Sequence, residues 1–345
     1  MRRPVRRSRR GFTLIELMIA LVLFSFVIAG VLAVAVSMSQ GFREQRAAVQ
    51  AEGAVRVPLD FLADAIRQAS PGAPTNYVYD SYACTGLGLQ VYDNPGTPSG
   101  ANGITAGTDK LDVVYASGAV ITSTREIYNN NTSVVVTDAT GITAGDSIVI
   151  TDTGKAVLVK VTGVTGNTLS LQSLDSACPA ASIAALPAAM QTSIAGPYPA
   201  ASLVIRVQHA RFWVGQIDGN PTLMMDPDGN DATVDWEPLA EGVEDLQLVK
   251  GVDTAADGLG VENAAVANGD EWRFNNAGDT DVLAGTLRAV RVTLIARTTS
   301  GLIGNLKAFN RPAAEDHAAA PVNSDNYRRR ILKTLVEVRN MSVSP

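Results

Sequence analysis

Few residues in the chain can do acid–base, nucleophilic or metal chemistry. Its 345 residues include two histidines and two cysteines. A four-cysteine or three-histidine zinc site is therefore impossible, and a site of two cysteines and two histidines would use all of them. His209 lies in a β-like run with Arg206 and Arg211 nearby, and His317 lies in an Ala/Pro-rich stretch. No Gly-x-Ser-x-Gly elbow, phosphate loop or HExxH motif accompanies them. Neither an enzyme nor a cofactor is expected. One acidic run, Asp226-Pro227-Asp228-Gly229-Asn230-Asp231, has alternating oxygens of the kind that ligate calcium. Counted from Asp226, the residues Asp228, Asn230 and Glu237 take the third, fifth and twelfth positions of an EF-hand loop. The sixth position is Asp231 where glycine is required, Pro227 intrudes, and no helix clearly flanks the run. The same residues are turn formers, so a β-hairpin turn is expected there. Asp226, Asp228, Asn230 and Glu237 remain the candidate calcium ligands.

The elements that must carry such residues follow from charge and hydropathy. Hydrophobic residues make up 46% of the chain and charged residues 18%, which permits a packed core. The formal net charge of −6 argues against a nucleic-acid partner. Arg328-Arg329-Arg330 reads on that background as the solvated start of a strand. Charge is unevenly spread, because residues 1–10 hold six arginines and no acid. Removing them takes the balance from −6 to −12. From Phe12 to Gln40 the only charged residue is Glu16. That run is long enough for a membrane-spanning helix, which needs about 20 residues. Arginines before it outnumber Arg43 and Arg46 after it, which predicts a cytoplasmic amino end and an outside remainder. A cleavable secretory signal would have a shorter apolar core and a small-residue site behind it. An acid inside an apolar span costs about 2.5–3.5 kcal/mol at mid-bilayer depth, so Glu16 asks for a partner and a function.

Arg10-Gly11-Phe12-Thr13-Leu14-Ile15-Glu16-Leu17 resembles the class III signal of type IV pilins and type II secretion pseudopilins. The resemblance implies cleavage by a prepilin peptidase between Gly11 and Phe12. It also implies N-methylation of Phe12 and an assembly role for Glu16, which would pair with the amino-terminal ammonium of a neighbouring subunit. Glycine suits the cut because it lets a protease approach the backbone closely. Pairing the two charges relieves the burial of both.

The apolar run is predicted to continue as a helix to about Ala69, some 85 Å at 1.5 Å per residue. Val55, Leu59, Leu62, Ile66 and Ala69 recur at helical spacing, so this half is expected to pack on the protein's own globular domain. Glu52–Arg56 and Arg56–Asp60 are i,i+4 pairs for the wet side. Pro58 should kink or break the helix, and Pro71 and Pro74 end it. A long half-apolar, half-amphipathic amino-terminal helix is the shared architecture of pilins. Ala33 stands where many major pilins have proline, which points away from a major subunit.

Most of the remainder reads as β. Strand-like runs are Lys110–Ala116, Ser133–Thr137, Asp146–Thr151, Ala156–Val161, Thr168–Leu171, Leu203–Val214, Val290–Leu294 and Leu332–Val338, separated by Gly/Asn/Asp turns. Residues 176–202, 253–286 and 310–325 read as loops with mobile tips. Cys84 and Cys178 both fall outside the cytoplasm in this topology. An oxidising compartment favours a bridge between them, with two buried free thiols as the alternative.

Three further segments resemble the PilW family of minor pilins: Ala144–Asp152, Leu239–Leu248 followed by Gly251-Val252-Asp253, and the tail Val336-Glu337-Val338-Arg339-Asn340. The expected fold is α+β, a long amino-terminal helix packed on a mostly antiparallel β-rich domain. The expected segments are a leader (1–11), a transmembrane half-helix (12–40), an amphipathic half-helix (41–69) and a periplasmic or extracellular β-rich domain (70–345). The resemblance implies a non-enzymatic minor pilin that helps initiate or cap a type IV pilus. A J-type secretion pseudopilin and a filament-tip adhesin are the alternatives. Implied partners are other minor and major pilins, prepilin peptidase and the inner-membrane assembly platform. The implied place is the inner membrane, then the pilus or cell surface after assembly.

Overall fold

The structure is a computed structural model and describes residues 13–72, 78–80, 88–93, 95, 103–129, 132–172, 196–227, 236–253, 272–273, 286–298, 310–319 and 325–340. The chain forms two compact units, residues 1–49 and 50–345. A single α-helix, α1 (Leu14–Arg67), contributes to both. Within it, Leu14–Arg43 is apolar and long enough to cross a membrane, and none of its most apolar stretch is buried by protein. In the second unit the expected stripe is fully realised: Val55, Leu59, Leu62, Ile66 and Ala69 are all buried. Burying each larger aliphatic side chain contributes about 1.5–3 kcal/mol. Pro58 does not break the helix; it sits inside α1 and is buried. The missing N–H removes one hydrogen bond, and the packing of its neighbours Leu59 and Leu62 outweighs that loss.

Fourteen strands follow among the described residues. The first seven are β1 (Val78–Asp80), β2 (Leu89–Tyr92), β3 (Lys110–Ser123), β4 (Ser133–Val135), β5 (Ser147–Thr151), β6 (Ala156–Thr165) and β7 (Thr168–Leu171). Then come β8 (Leu203–Ile217), β9 (Asn220–Asp226), β10 (Glu237–Glu241), β11 (Val243–Asp253), β12 (Trp272–Arg273), β13 (Thr286–Arg297) and β14 (Arg329–Glu337). Every strand-like run of the sequence overlaps one of them. β1, β2, β9, β10, β11 and β12 were not foreseen as strands. β9 is buried on both faces from Pro221 to Asp226, so it shows no alternation to read.

The strands make a ten-stranded sheet and a four-stranded sheet of order β12-β11-β13-β14. Pairing is antiparallel except between β1 and β6. The spine of the large sheet is β8. One of its edges pairs with β3 from Leu203 to Phe212, while the other pairs first with β5 and then with β9. One core collects the stripe of α1, Leu111, Val113 and Phe212 from the large sheet, and Leu246, Val292 and Val336 from the small one. Phe61 meets Phe212 edge to face at 5.8 Å.

Between β3 and β8 the chain builds a second core of its own. β5, β6, β7 and β4 pair in series. The circuit then closes through the Thr124–Val136 bridge and the hydrogen bonds Arg125 N to Val135 O (2.8 Å) and Thr124 N to Ser202 O (2.9 Å). The result is a small closed barrel, filled by Ile148, Ile150, Val157, Val159, Leu169, Tyr128 and Tyr198 among others. Closure removes the free edges a sheet of this size would otherwise expose.

Two expectations are corrected here. The stretch 310–319 is not a mobile tip: Ala314 and His317 pair backbone to backbone, and its side chains are pinned to the small sheet. Nor is the arginine run simply solvated, since the side chain of Arg329 is only 6% exposed. In both cases oppositely charged side chains on other strands take up the charge.

Candidate functional site

The start of α1 is closed by its own sequence. Thr13 precedes the first helical residue, and Glu16 lies three residues on. The Thr13 N–H donates to Glu16 Oε2 at 3.1 Å, and the Thr13 hydroxyl donates to the same oxygen at 3.1 Å. In return the Glu16 N–H donates to Thr13 Oγ1 at 3.3 Å. This is a capping box: each residue satisfies a donor that the first helical turn leaves without an intrahelical partner. It also places a carboxylate at the positive end of the helix dipole. Glu16 itself is exposed. Thr13 was not singled out in the sequence, although the spacing Thr-x-x-Glu ahead of an apolar run is the signal for it. Gly11 and Phe12 lie outside the described residues, as do Cys84, Cys178, Asp228 and Asn230.

Asp226 ends β9 and is buried, in register with Arg211 of β8, while Glu237 begins β10 and is exposed. β9 and β10 pair antiparallel, with Glu237 opposite Met225, while residues 228–231 of the acidic run, where a turn was expected, lie outside the described residues. Among the described residues no cluster of three or more His, Cys, Asp or Glu is placed to hold a metal.

Both histidines are committed to buried carboxylates. His209 Nε2 contacts Asp112 Oδ1, and Arg211 Nε donates to Asp112 Oδ2 at 2.9 Å. Burial alone would raise the Asp112 carboxyl, but His209 and Arg211 outweigh it and hold it below the usual aspartate value. His317 Nδ1 lies 2.8 Å from Asp245 Oδ2, which also accepts from Arg311 at 2.6 Å. Beside it, Glu315 accepts from Arg291 at 2.6 Å, from Thr293 at 2.9 Å and from Lys333 at 2.8 Å. These bonds fasten the 310–319 turn across β11, β13 and β14. Such ladders tie strands and turns that are distant in sequence to one another.

The segments flagged in the sequence have clear structural work. Gly242 joins β10 of one sheet to β11 of the other with φ +86°, a conformation that favours glycine. Two residues on, Glu244 receives Arg329 Nη2 of β14 at 2.9 Å, and Asp325 receives Arg329 Nη1 at 2.8 Å. Past β14, Val338 is buried and Asn340 Nδ2 donates to Ala69 O at 3.1 Å, just beyond the end of α1. The tail thus reaches the end of the helix, while the Leu239–Leu248 segment is tied to the start of β14. In Ala144–Asp152, Gly145 takes φ +99° and Asp146 accepts from Thr143 N at 2.7 Å, turning the chain into β5.

A membrane-capable helix with a capped acidic start, whose second half packs into an antiparallel β domain, is the arrangement the sequence led one to expect of a pilin-type subunit. Residues 6–32 match the family model described as the prokaryotic N-terminal methylation motif. Residues 211–340 match the one described as type IV pilus-assembly protein W, PilW. Over these segments the chain is similar to a PilW-like type IV pilin, which supports reading it as a minor pilin of the type IV pilus. The barrel between β3 and β8 lies outside both matched segments. No curated protein and no solved structure matches the chain. A subunit of this kind works with other pilins and with the pilus assembly machinery, and its apolar helix fits an inner-membrane anchor.

Proposed function

We propose that this protein is a non-enzymatic structural subunit that helps initiate or cap the pilus filament. The observation that carries the proposal is the acid at the start of α1, exposed inside the methylation-motif match. In this reading prepilin peptidase removes residues 1–11, Phe12 becomes the methylated amino terminus, and residues 12–40 sit in the inner membrane. The β-rich domain then lies on the periplasmic side, where Cys84 and Cys178 bridge. Glu16 pairs with the ammonium of a neighbouring pilin, and the assembly platform hands the subunit on to the filament.

The test is Glu16→Gln in cells that carry the pilin partners. Gln keeps the shape and can still close a capping box, so only the charge is lost. Stranding one buried partner costs about 3–5 kcal/mol, or roughly two to three decades in an assembly constant. The variant should be inserted and trimmed by amino-terminal sequencing, yet strongly depleted when partner pilins are co-purified. Normal co-purification of the trimmed variant would overturn the charge-pair reading.

A further inference from the structure

β14 ends the four-stranded sheet, pairing with β13 and with no other described strand. Its register is unbroken from Arg329 to Glu337, with neither a proline nor a bulge. Thr298 N donates to Arg328 O, and Val338 N donates to Arg288 O, each at 3.0 Å. Hydrogen-bonding groups alternate along an antiparallel strand, so the even-numbered residues of β14 face β13 and the odd-numbered ones face away. The N–H and C=O groups of Ile331, Lys333, Leu335 and Glu337 thus have no partner among the described residues. Natural sheets blunt such an edge. β10, at an end of the large sheet, does so with Pro238 and an irregular register before Ala240. Within β14 the one charge between Arg330 and Glu337 is Lys333, and Glu315 takes up its ammonium at 2.8 Å. On either side of Lys333, on the same face, Ile331 and Leu335 are 46% and 55% exposed. Two apolar side chains beside a row of outward backbone groups form a template for a further strand.

Symmetry and charge select the occupant. A second copy pairing antiparallel would be related by a two-fold axis normal to the sheet, which reverses the second half of α1 packed on that sheet. A second copy pairing parallel would set the two Arg328-Arg329-Arg330 starts side by side, like charge on like. The edge therefore fits a different chain. Arg329 is committed to Glu244 and Asp325, whereas Arg330 is exposed, so the basic start of the strand favours an acid.

We propose that the free edge of β14 takes up an extended strand of another protein, with apolar side chains opposite Ile331 and Leu335 and an acid beside Arg330. Main-chain hydrogen bonds supply the affinity, and these side chains select the partner. The contact is separate from the one proposed for Glu16 and does not depend on it.

In the experiment, Ile331 or Leu335 of the full chain is replaced by the photo-crosslinker p-benzoylphenylalanine, in cells that carry the partner pilins. Peptide mapping should place both crosslinks in one acidic segment of one other protein, about four residues apart as two paired strands require. Leu335→Pro removes an N–H that faces away from β13. The denaturant midpoint should hold, while the crosslink from position 331 falls about tenfold. Leu335→Val keeps that N–H and an apolar side chain, and should crosslink like the parent. Arg330→Glu keeps every backbone donor and should weaken the crosslink several-fold. Crosslinks to two different proteins, to a helix or to a second copy of this chain would overturn the inference, as would the absence of any protein crosslink. So would a Leu335→Pro chain that keeps both its fold and its crosslink. If Leu335→Pro unfolds the domain, Arg330→Glu decides, and an unchanged crosslink there overturns the inference. Normal co-purification of Glu16→Gln would remove the charge pair at the helix start and leave the β14 result standing.

Discussion

Glu16 and Glu315 are both carboxylates with several donors, yet their partners come from opposite ends of the sequence scale. Glu16 is served by Thr13, three residues away, and remains exposed. Glu315 is served by Arg291, Thr293 and Lys333 from two different strands, and its side chain is only 5% exposed. Hydrogen bonds made within one helical turn survive any rearrangement that leaves the turn intact, which is compatible with the assembly contact proposed for Glu16. Those of Glu315 exist only while β13, β14 and the 310–319 turn are assembled. The first arrangement suits a contact that forms during assembly, and the second suits a permanent seam.

The contrast is tested most severely by removing one charge from each setting. Arg329→Ala strands Glu244, beside Asp325, and should cost the β domain about 3–5 kcal/mol of unfolding free energy. Glu16→Gln should leave that quantity within about 0.5 kcal/mol of the parent, as an exposed substitution does. Denaturant titration of the full chain in detergent measures both; equal losses would erase the distinction.

Acid should separate the two settings in the same way. The carboxyls of Asp112, Glu315 and Asp325 lie below their ordinary values of 3.8, 4.5 and 3.8. Burial opposes ionisation at all three, and the facing cations and hydrogen-bond donors outweigh it. Depressed folded-state values contribute stability that is complete above the unfolded-state values and is lost as pH falls through the folded-state ones. The β domain should therefore hold its melting temperature down to about pH 5 and lose it progressively below about pH 4. Asp316, raised chiefly by burial, works in the opposite sense and blunts the fall slightly. The helical signal of the apolar span should not follow that curve. Melts recorded across the acid range by near- and far-ultraviolet circular dichroism provide the comparison.

The smallest effect concerns the corner between the sheets. Gly242→Ala forces a side chain into φ +86° and should cost about 1–2 kcal/mol. The loss should appear in unfolding of the β domain and leave trimming at the amino end untouched, as sequencing and a denaturant midpoint would report.

The two settings also differ in what can be read without a structure. A basic leader, glycine, an apolar run and a lone glutamate are contiguous features, and the stripe Val55–Ala69 is a period of one helix. Thr168–Leu171 was legible to the residue because its strand lies between turn formers. The Thr-x-x-Glu box at Thr13 and Glu16 is equally local, since its partners lie three residues apart. Strand β9, buried on both faces, had no alternation to detect. The 310–319 stretch looked like any Ala/Pro-rich loop, because its anchors Asp245 and Arg291 lie 66 and 24 residues from their partners Arg311 and Glu315.

What the sequence determined by itself was the helix, its membrane-capable apolar half and its core-facing half, the β character of the remainder and the capped acidic start. Each depends on periodicity or on contacts within a single turn, which neighbouring residues dictate. The tertiary structure alone decided that β4 to β7 close into a barrel with its own core. It also decided that Arg329 is buried between Glu244 and Asp325, and that Asn340 reaches back to Ala69 across 271 residues. Strand pairing and buried ion pairs are chosen by which surfaces meet after the chain has folded, and a local pattern carries no record of a partner that distant.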